Sequence, residues 1–360
     1  MTGRSLFRTV VVVVAAALTL AGCARNDPEH FIASAESYIA KKDYRAAIIE
    51  LKNALGKAPD NARARFLLAK ALLDSGDSIN AATEFRKAIA LNYSADEAYP
   101  LLARALIQQS TPKKEILELA NAPVTSAHAK AEVAAMLAVG YIGLGQRKDA
   151  HEKIDAALAL EPANVSARVA QAQLTAIEGN LLGAIGLADA VLASAPENID
   201  ALMLKGDLEV ALQRRADAAK TYERVIALRP DTIRARYGLI SGLVQSKELD
   251  KAALQVEEVK KLAPTDPRTL HAIAFLAFSR GDTQGALDSV QKAVQAAPEY
   301  LPARYLSGLV DLQRGSLASA EQSLRIVVAQ APNEDGARVA LAETYLRRGQ
   351  AAKADEILEP

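Results

Sequence analysis

Alanine returns in this chain at a fixed interval: Ala47 and Ala81, then Ala150, Ala184, Ala218, Ala252, Ala286, Ala320 and Ala354, 34 residues apart except across one interruption. Around each marker the register repeats, with an apolar side chain four residues on, a small or β-branched one seven on and usually proline twelve on. The first copy reads Ala47, Leu51, Ala54, Pro59; a later one reads Ala218, Tyr222, Val225, Pro230. Upstream stand a second small residue twelve before the marker and a bulky one nine before, as in Ala35 and Tyr38, Ala69 and Leu72, or Ala138 and Tyr141. Spacings of four and seven place side chains on one helical face, and small residues let two helices approach closely.

The punctuation agrees. Gly76, Gly145, Gly179, Gly281, Gly315 and Gly349 stand where a first helix should end in the left-handed conformation. Asp43, Asp77, Asn180 and Asp282 follow at the expected N-cap of a second helix. Pro59, Pro162, Pro196, Pro230, Pro264, Pro298 and Pro332 stop that helix, because proline has no amide hydrogen to continue the ladder. This 34-residue pattern resembles the tetratricopeptide repeat (TPR) over nearly everything after residue 28. The resemblance implies an all-α, helix-turn-helix solenoid wound as a right-handed superhelix of about nine to ten repeats. One hairpin cannot bury its apolar stripe alone, so the core is expected only between stacked neighbours.

The pattern breaks once. Glu115 occupies the marker position of the third unit, Tyr93 and Ala127 replace the flanking prolines, and the next marker is Ala150. Pro112 predicts the first turn of a short second helix over residues 113–120, ended by Pro123. The unit reads either as a decayed repeat or as a joint between N-terminal repeats, 29–123, and a C-terminal array, 124–360. The tenth unit reaches Pro360 soon after its second helix begins, with no polar capping helix following it. Ile357 and Leu358 are therefore expected to face a partner or another copy, unless the chain is shorter than the array it derives from.

Residues 1–22 read as a lipoprotein signal peptide: Arg4 and Arg8 form a basic start, residues 10–20 an apolar stretch, and Leu20-Ala21-Gly22-Cys23 closes it as a lipobox. About eleven apolar residues suit a leader and fall short of the roughly twenty that a membrane span needs. The segment resembles the site where the bacterial lipoprotein peptidase cuts, after diacylglycerol is attached to the cysteine sulfur. Cys23 would then begin the mature chain on a short tether, residues 23–28. The covalent lipid on Cys23 is the only expected prosthetic group, with no cofactor and no metal. Cys23 is also the only cysteine, which excludes an internal disulfide and leaves no thiol for catalysis. A spare cysteine in an uncleaved anchor helix is the alternative. Ala24 stands where an aspartate would, in enteric bacteria, favour the inner membrane, so the outer membrane facing the periplasm is favoured.

Lysine plus arginine equals aspartate plus glutamate at 43 each, and loss of Arg4 and Arg8 with the leader leaves an excess of two acidic residues. With no tryptophan, few aromatics and no overall basic excess, the chain is not read as a nucleic-acid binder. Nor is it read as an enzyme. His30, His128, His151 and His271 fall in different repeats without ligand spacing. The serines form no nucleophile elbow, and Gly183 and Gly186 lie in a predicted second helix rather than in a phosphate loop.

Solenoids bind along the face lined by their first helices. The helical period assigns to that face Arg63, Phe66 and Lys70, then Glu97, Arg104 and Ile107, then Met203 and Asp207. It continues with Arg234, Tyr237 and Ser241, then Arg268, His271 and Phe275, and finally Tyr305 and Leu309. The run from Arg234 to Tyr305 is the stronger candidate groove, because it mixes aromatic anchors with arginine, as binding hot spots do; the plainer reading packs Tyr237 and Phe275 between helices. Arg65, Arg168, Arg236, Arg304 and Arg338 recur at one register and read as structural, each guanidinium meeting carbonyls at a helix end.

The N-terminal third carries a narrower resemblance. The lipobox, the short tether and the run Tyr44-Arg45-Ala46-Ala47-Ile48-Ile49-Glu50-Leu51-Lys52-Asn53-Ala54-Leu55 are similar to the PEP-CTERM system TPR lipoproteins. The likeness continues through Ala62-Arg63-Ala64-Arg65-Phe66-Leu67-Leu68-Ala69 and Leu101-Leu102-Ala103-Arg104-Ala105-Leu106. Members are encoded beside exosortase and exopolysaccharide genes in Gram-negative bacteria. The resemblance implies a non-enzymatic, membrane-anchored scaffold whose partners are envelope proteins of a polysaccharide export or exosortase system. The alternatives are a pilotin-like lipoprotein for pilus or secretin assembly, and a glycan- or peptidoglycan-binding solenoid.

Overall fold

The computed structural model describes residues 27–109 and 114–359; Leu20, Ala21, Gly22, Cys23, Pro112, Lys113 and Pro360 lie outside the described residues. The described residues form helices and connections without a strand. The chain divides into two compact units between Asn180 and Leu181. The first holds α1 (Pro28–Ala40), α2 (Tyr44–Lys57), α3 (Ala62–Asp74), α4 (Ser78–Ala90), α5 (Ala95–Gln108), α6 (Lys114–Leu117), a 3₁₀ turn (Glu118–Asn121), α7 (Ala127–Gly143), α8 (Arg147–Leu160) and α9 (Val165–Ile177). The second holds α10 (Leu181–Ser194), α11 (Ile199–Ala211), α12 (Arg215–Leu228), α13 (Ile233–Gln245), α14 (Leu249–Leu262), α15 (Pro267–Ser279), α16 (Thr283–Ala296), α17 (Leu301–Arg314), α18 (Leu317–Gln330), α19 (Asp335–Arg347) and α20 (Ala351–Leu358). Within each unit a first helix packs on its own second helix, and that second helix packs on the first helix of the next hairpin.

The marker alanines make this stacking close. Every one from Ala47 to Ala354 is buried, as are the residues four on, from Leu51 and Phe85 to Val290 and Leu324, and those seven on, such as Ala54, Val225 and Val327. The last hairpin differs: Leu358, four after its marker, is exposed, while Ile357 is half-buried. In two hairpins a glycine twelve before the marker faces the side chain four after it. A Cβ on Gly308 would stand 2.6 Å from Leu324 Cγ, and one on Gly206 would stand 2.7 Å from Tyr222 Cε1. Tyr222 is gripped from both sides, since a Cβ on Gly238 would lie 2.6 Å from its ring.

The turn chemistry follows the sequence. All six expected glycines have positive φ, and the same register holds Lys42, Gln213 and Lys247 at φ 59°, 60° and 62°. The hairpin imposes the left-handed turn even where the side chain opposes it. Asp43, Asp77 and Asp282 cap their second helices, accepting from Ala46, Asn80 and Gly285 amides. First helices have caps of their own that the repeat pattern did not reveal: Asn61, Asn164 and Asn198, two residues after each closing proline, accept from Ala64, Ala167 and Ala201. The recurrent arginines hold the same connection. Arg65 donates to the Pro59 carbonyl at 2.8 and 3.1 Å, Arg236 to that of Pro230 at 2.8 and 3.2 Å, and Arg168 and Arg304 to those of Pro162 and Pro298. Arg338 turns instead to the carbonyls of Ile357 and Glu359.

The third hairpin departs from expectation. The second helix predicted over 113–120 is a single α-turn, α6, that tightens into the 3₁₀ turn. Ile116 and Leu119 still reach the core, and Glu115 at the marker position pairs outward with Arg86 at 3.2 Å. Where proline is missing before this unit, Asn92 takes φ 62° and the Tyr93 amide bonds back to the Ala88 carbonyl at 3.0 Å, a helix stop that needs no proline. The following connection is tied by Asp96, whose carboxylate accepts from the Thr125 amide and hydroxyl and from the Ser126 amide.

A non-glycine residue in the left-handed region costs about 1–2 kcal/mol. Glycine at Lys42, Gln213 or Lys247 is therefore expected to raise the melting temperature of the chain, and alanine at Gly76 to lower it, read by circular dichroism. The Tyr222 clamp makes a second expectation. Gly206→Ala and Gly238→Ala should each destabilise by about 1–3 kcal/mol through overpacking. Adding Tyr222→Leu should recover most of that loss, because Leu51 occupies the same register opposite Ala35; equal losses in the single and double variants would contradict the clamp.

Candidate functional site

In the second unit the first helices α11, α13, α15 and α17 lie side by side. Their common face carries most of the predicted groove. Arg234 at the start of α13 pairs with Asp207 of α11, which also accepts the buried Tyr222 hydroxyl at 2.7 Å. One helix along, the Tyr237 hydroxyl shares a hydrogen bond of 2.7 Å with Thr269, and the Arg268 guanidinium lies 5.3 Å from the centre of the Tyr237 ring. Asp266, the N-cap of α15, holds Arg268 with both carboxylate oxygens, at 3.0 and 2.7 Å. One turn further on, His271 stacks on Phe275 at 6.0 Å and meets the edge of Tyr300 at 5.7 Å. Tyr305 of α17 is half-buried, with its hydroxyl 2.8 Å from where a Cβ on Gly336 would stand, and Ser241 accepts from Gln245 at 3.0 Å.

The result is one strip, from Arg234 through Tyr237 and Arg268 to His271, Phe275 and Tyr300. Its floor is aromatic and uncharged. Burial pushes the His271 imidazole down to about 4, so it is neutral at physiological pH, and burial pushes the Tyr237 and Tyr300 phenols up. The Asp266 carboxylate raises the Arg268 guanidinium further and is itself held below the usual range by it. Such a surface can grip apolar and aromatic groups by contact area, with the guanidiniums of Arg234 and Arg268, each held by an aspartate, along its edge.

Two predicted groove residues are core residues. Phe66 is 7 % exposed, stacked 4.3 Å from Tyr93 and edge-on to Phe85, and Met203 is 7 % exposed beside Leu202. Both lack a polar tip, so at this boundary position they fold inward where Tyr237 and His271 remain half-exposed. The other first-unit candidates do not form a comparable strip. Arg63 stands between Glu36 at 2.6 Å and Glu29 at 3.6 Å, Lys70 is exposed, Arg104 is half-buried, Glu97 accepts from the Tyr93 hydroxyl, and Ile107 packs against the core. Leu309 likewise packs against a core cluster. Sequence reasoning missed Tyr222, Asp266, Thr269 and Tyr300, which lie outside the projected face. Tyr300 occupies an N-cap position without making a cap bond and faces His271 instead.

Elsewhere the histidines stand apart from one another. His128 and His151 meet Glu161 and Glu178 at 3.0 and 2.7 Å, and His30 rests edge-on to Phe31. Among the described residues no three His, Cys, Asp or Glu side chains assemble as a metal site, and no helix is long and apolar enough to cross a membrane. A cleft of about 750 Å³ between α18, α19 and α20, lined by Ile326, Leu341, Tyr345 and Ile357, includes none of the predicted groove residues.

Comparison with solved structures gives the fold. A tetratricopeptide repeat protein from Parabacteroides merdae is similar with a TM-score of 0.53 at 18 % identity, over 64 % of this chain and 94 % of that one. Yeast Tom70 aligns over 92 % of this chain and 84 % of its own with a TM-score of 0.47 at 16 % identity. A TPR protein of Thermus thermophilus aligns over 51 % and 99 % with a TM-score of 0.43 at 21 % identity. No curated protein matches the chain. The tetratricopeptide repeat model matches residues 32–78, 68–127, 135–199, 203–267 and 272–335, most of the chain, and the protein belongs to the tetratricopeptide repeat family.

Proposed function

We propose that the chain is a non-enzymatic scaffold of the bacterial envelope, attached through a lipid on Cys23 to the outer membrane facing the periplasm. On this reading it supports exopolysaccharide assembly or export, and with it biofilm formation, in a PEP-CTERM/exosortase system. The observation that carries the reading is the lipobox Leu20-Ala21-Gly22-Cys23 directly ahead of a first repeat similar to those lipoproteins. A tetratricopeptide repeat protein is suited to protein–protein interaction, and the strip from Arg234 to Tyr300 is a surface on which an envelope protein can dock. Tethering confines partners to a thin layer at the membrane, which raises their effective concentration without a new contact.

Cross-linking of the intact envelope, followed by purification through the chain, should recover polysaccharide-export or exosortase components. Tyr237→Ala and Arg268→Ala should each reduce that recovery by about tenfold or more, as loss of a central anchor does. Recovery of pilus or secretin subunits instead, or normal polysaccharide output in a deletion strain, would overturn the proposal.

The strip also has a pH signature. His271 has its folded pKa lowered from the ordinary imidazole value to about 4. Its contribution to stability is present above the unfolded value, about 6.5, and is lost as pH falls through the folded one. Melting temperature should therefore decline between about pH 6.5 and 4. His271→Leu should flatten that part of the curve, and an unchanged slope in the variant would place the titration elsewhere.

A further inference from the structure

The outward face of α2 carries Arg45, Ile49, Lys52, Asn53 and Gly56 at helical spacing, all of them exposed. Ile49 is 61 % exposed, a branched apolar side chain between a cation four residues before it and another three after. Exposed Lys41 and Lys42 lead into the helix and Lys57 ends it. None of these five cations enters an ion pair among the described residues. The stripe carries no carboxylate, and nearby Asp43 is engaged by the Ala46 amide as the helix cap. The next second helix, α4, turns outward Ile79, 66 % exposed, with Arg86 and Lys87, although there Arg86 pairs with Glu115 and Lys87 with Glu84.

The repeat supplies its own control. In α14 the same register reads Asp250, Leu254, Glu257, Glu258 and Lys261, with Leu254 as exposed as Ile49 but among acids. Outward positions make no helix crossing, so neither composition is required by the stacking. Five unpaired cations around a protruding apolar side chain match a surface that is anionic outside and apolar beneath, as a bilayer rich in acidic lipid is. A soluble polyanion would satisfy the cations and leave Ile49 in water.

We propose that the outward face of α2, with Lys41, Lys42 and Lys57, rests on an anionic membrane surface with Ile49 at the level of the headgroups. The face belongs to the first hairpin after Cys23, yet the contact does not depend on lipidation there. It would lay the first unit against the bilayer and fix which of its faces looks away from it.

The chain has no tryptophan, so one introduced indole reports alone. Full-length Ile49→Trp and Leu254→Trp chains are mixed with vesicles of phosphatidylglycerol or of phosphatidylcholine. The Ile49→Trp chain should shift its emission to the blue and be quenched by brominated acyl chains with phosphatidylglycerol only, and the Leu254→Trp chain should not respond. The shift should fade at high salt. Replacing Lys41, Lys42, Arg45 and Lys52 by glutamine should weaken vesicle binding by about fivefold per cation removed. Absence of a shift in the Ile49→Trp chain, equal shifts in both chains, or the same shift with soluble dextran sulfate and no vesicles would overturn the proposal.

Discussion

The architecture depends on how closely helices approach at the marker alanines. The marker alanines are buried, and at Gly206 and Gly308 the side chain four residues after the marker fills the space over a small residue of its own first helix. The register twelve before the marker is alanine in most copies and isoleucine at Ile240, and where the filling side chain is Tyr222 or Leu324 it has shrunk to glycine. Because within each unit a second helix is shared between two first helices, a shift at one crossing is passed to the next hairpin. The connections keep the spacing constant: proline ends one helix, asparagine two residues later caps the next in several copies, and the arginine six after the proline closes the corner on the proline carbonyl.

The features legible in the sequence were those carried by the chemistry of single residues. Alanine at a crossing, glycine at a left-handed turn, aspartate at a cap and arginine at the corner each sit where only a few residue types serve. Lys42, Gln213 and Lys247 were not legible because neighbouring contacts, and not the residue, impose their positive φ. Phe66, Met203, Tyr237, His271 and Tyr305 share one register, and the sequence treated them alike. The position lies at the edge of the core: apolar side chains turn in, whereas tyrosine and histidine keep a polar end near water. The helical period assigns such a residue to a face and does not decide its depth.

Glu209 shows the same limit from the other side. Its register, nine before the marker, is bulky and apolar in the copies that hold Leu72 and Leu243. Here a carboxylate 5 % exposed accepts from the Thr221 hydroxyl at 2.7 Å, with Lys205 at 3.9 Å, and burial, reinforced by Asp217 and Asp189, pushes its pKa up. Asp311 repeats the substitution at the same register, half-buried and likewise raised by burial. The sequence pattern records both as departures, and the hydrogen bond from Thr221 that Glu209 accepts exists only once the two helices of that hairpin pack together.

The strip on α11, α13 and α15 is assembled from departures of this kind. Tyr300 stands where asparagine caps other first helices and makes no cap bond, its ring turned to His271. Tyr222 replaces an aliphatic residue at a crossing, requires glycine on both sides, and sends its hydroxyl out to Asp207, which in turn holds Arg234. A side chain of the packing layer thereby orients a charged pair on the surface. Conformations that break the local rule cost stability and persist where the site they build is useful. Two such departures converge on one face while the crossings around them keep the common alanine, and that convergence sets the strip apart more sharply than exposure alone.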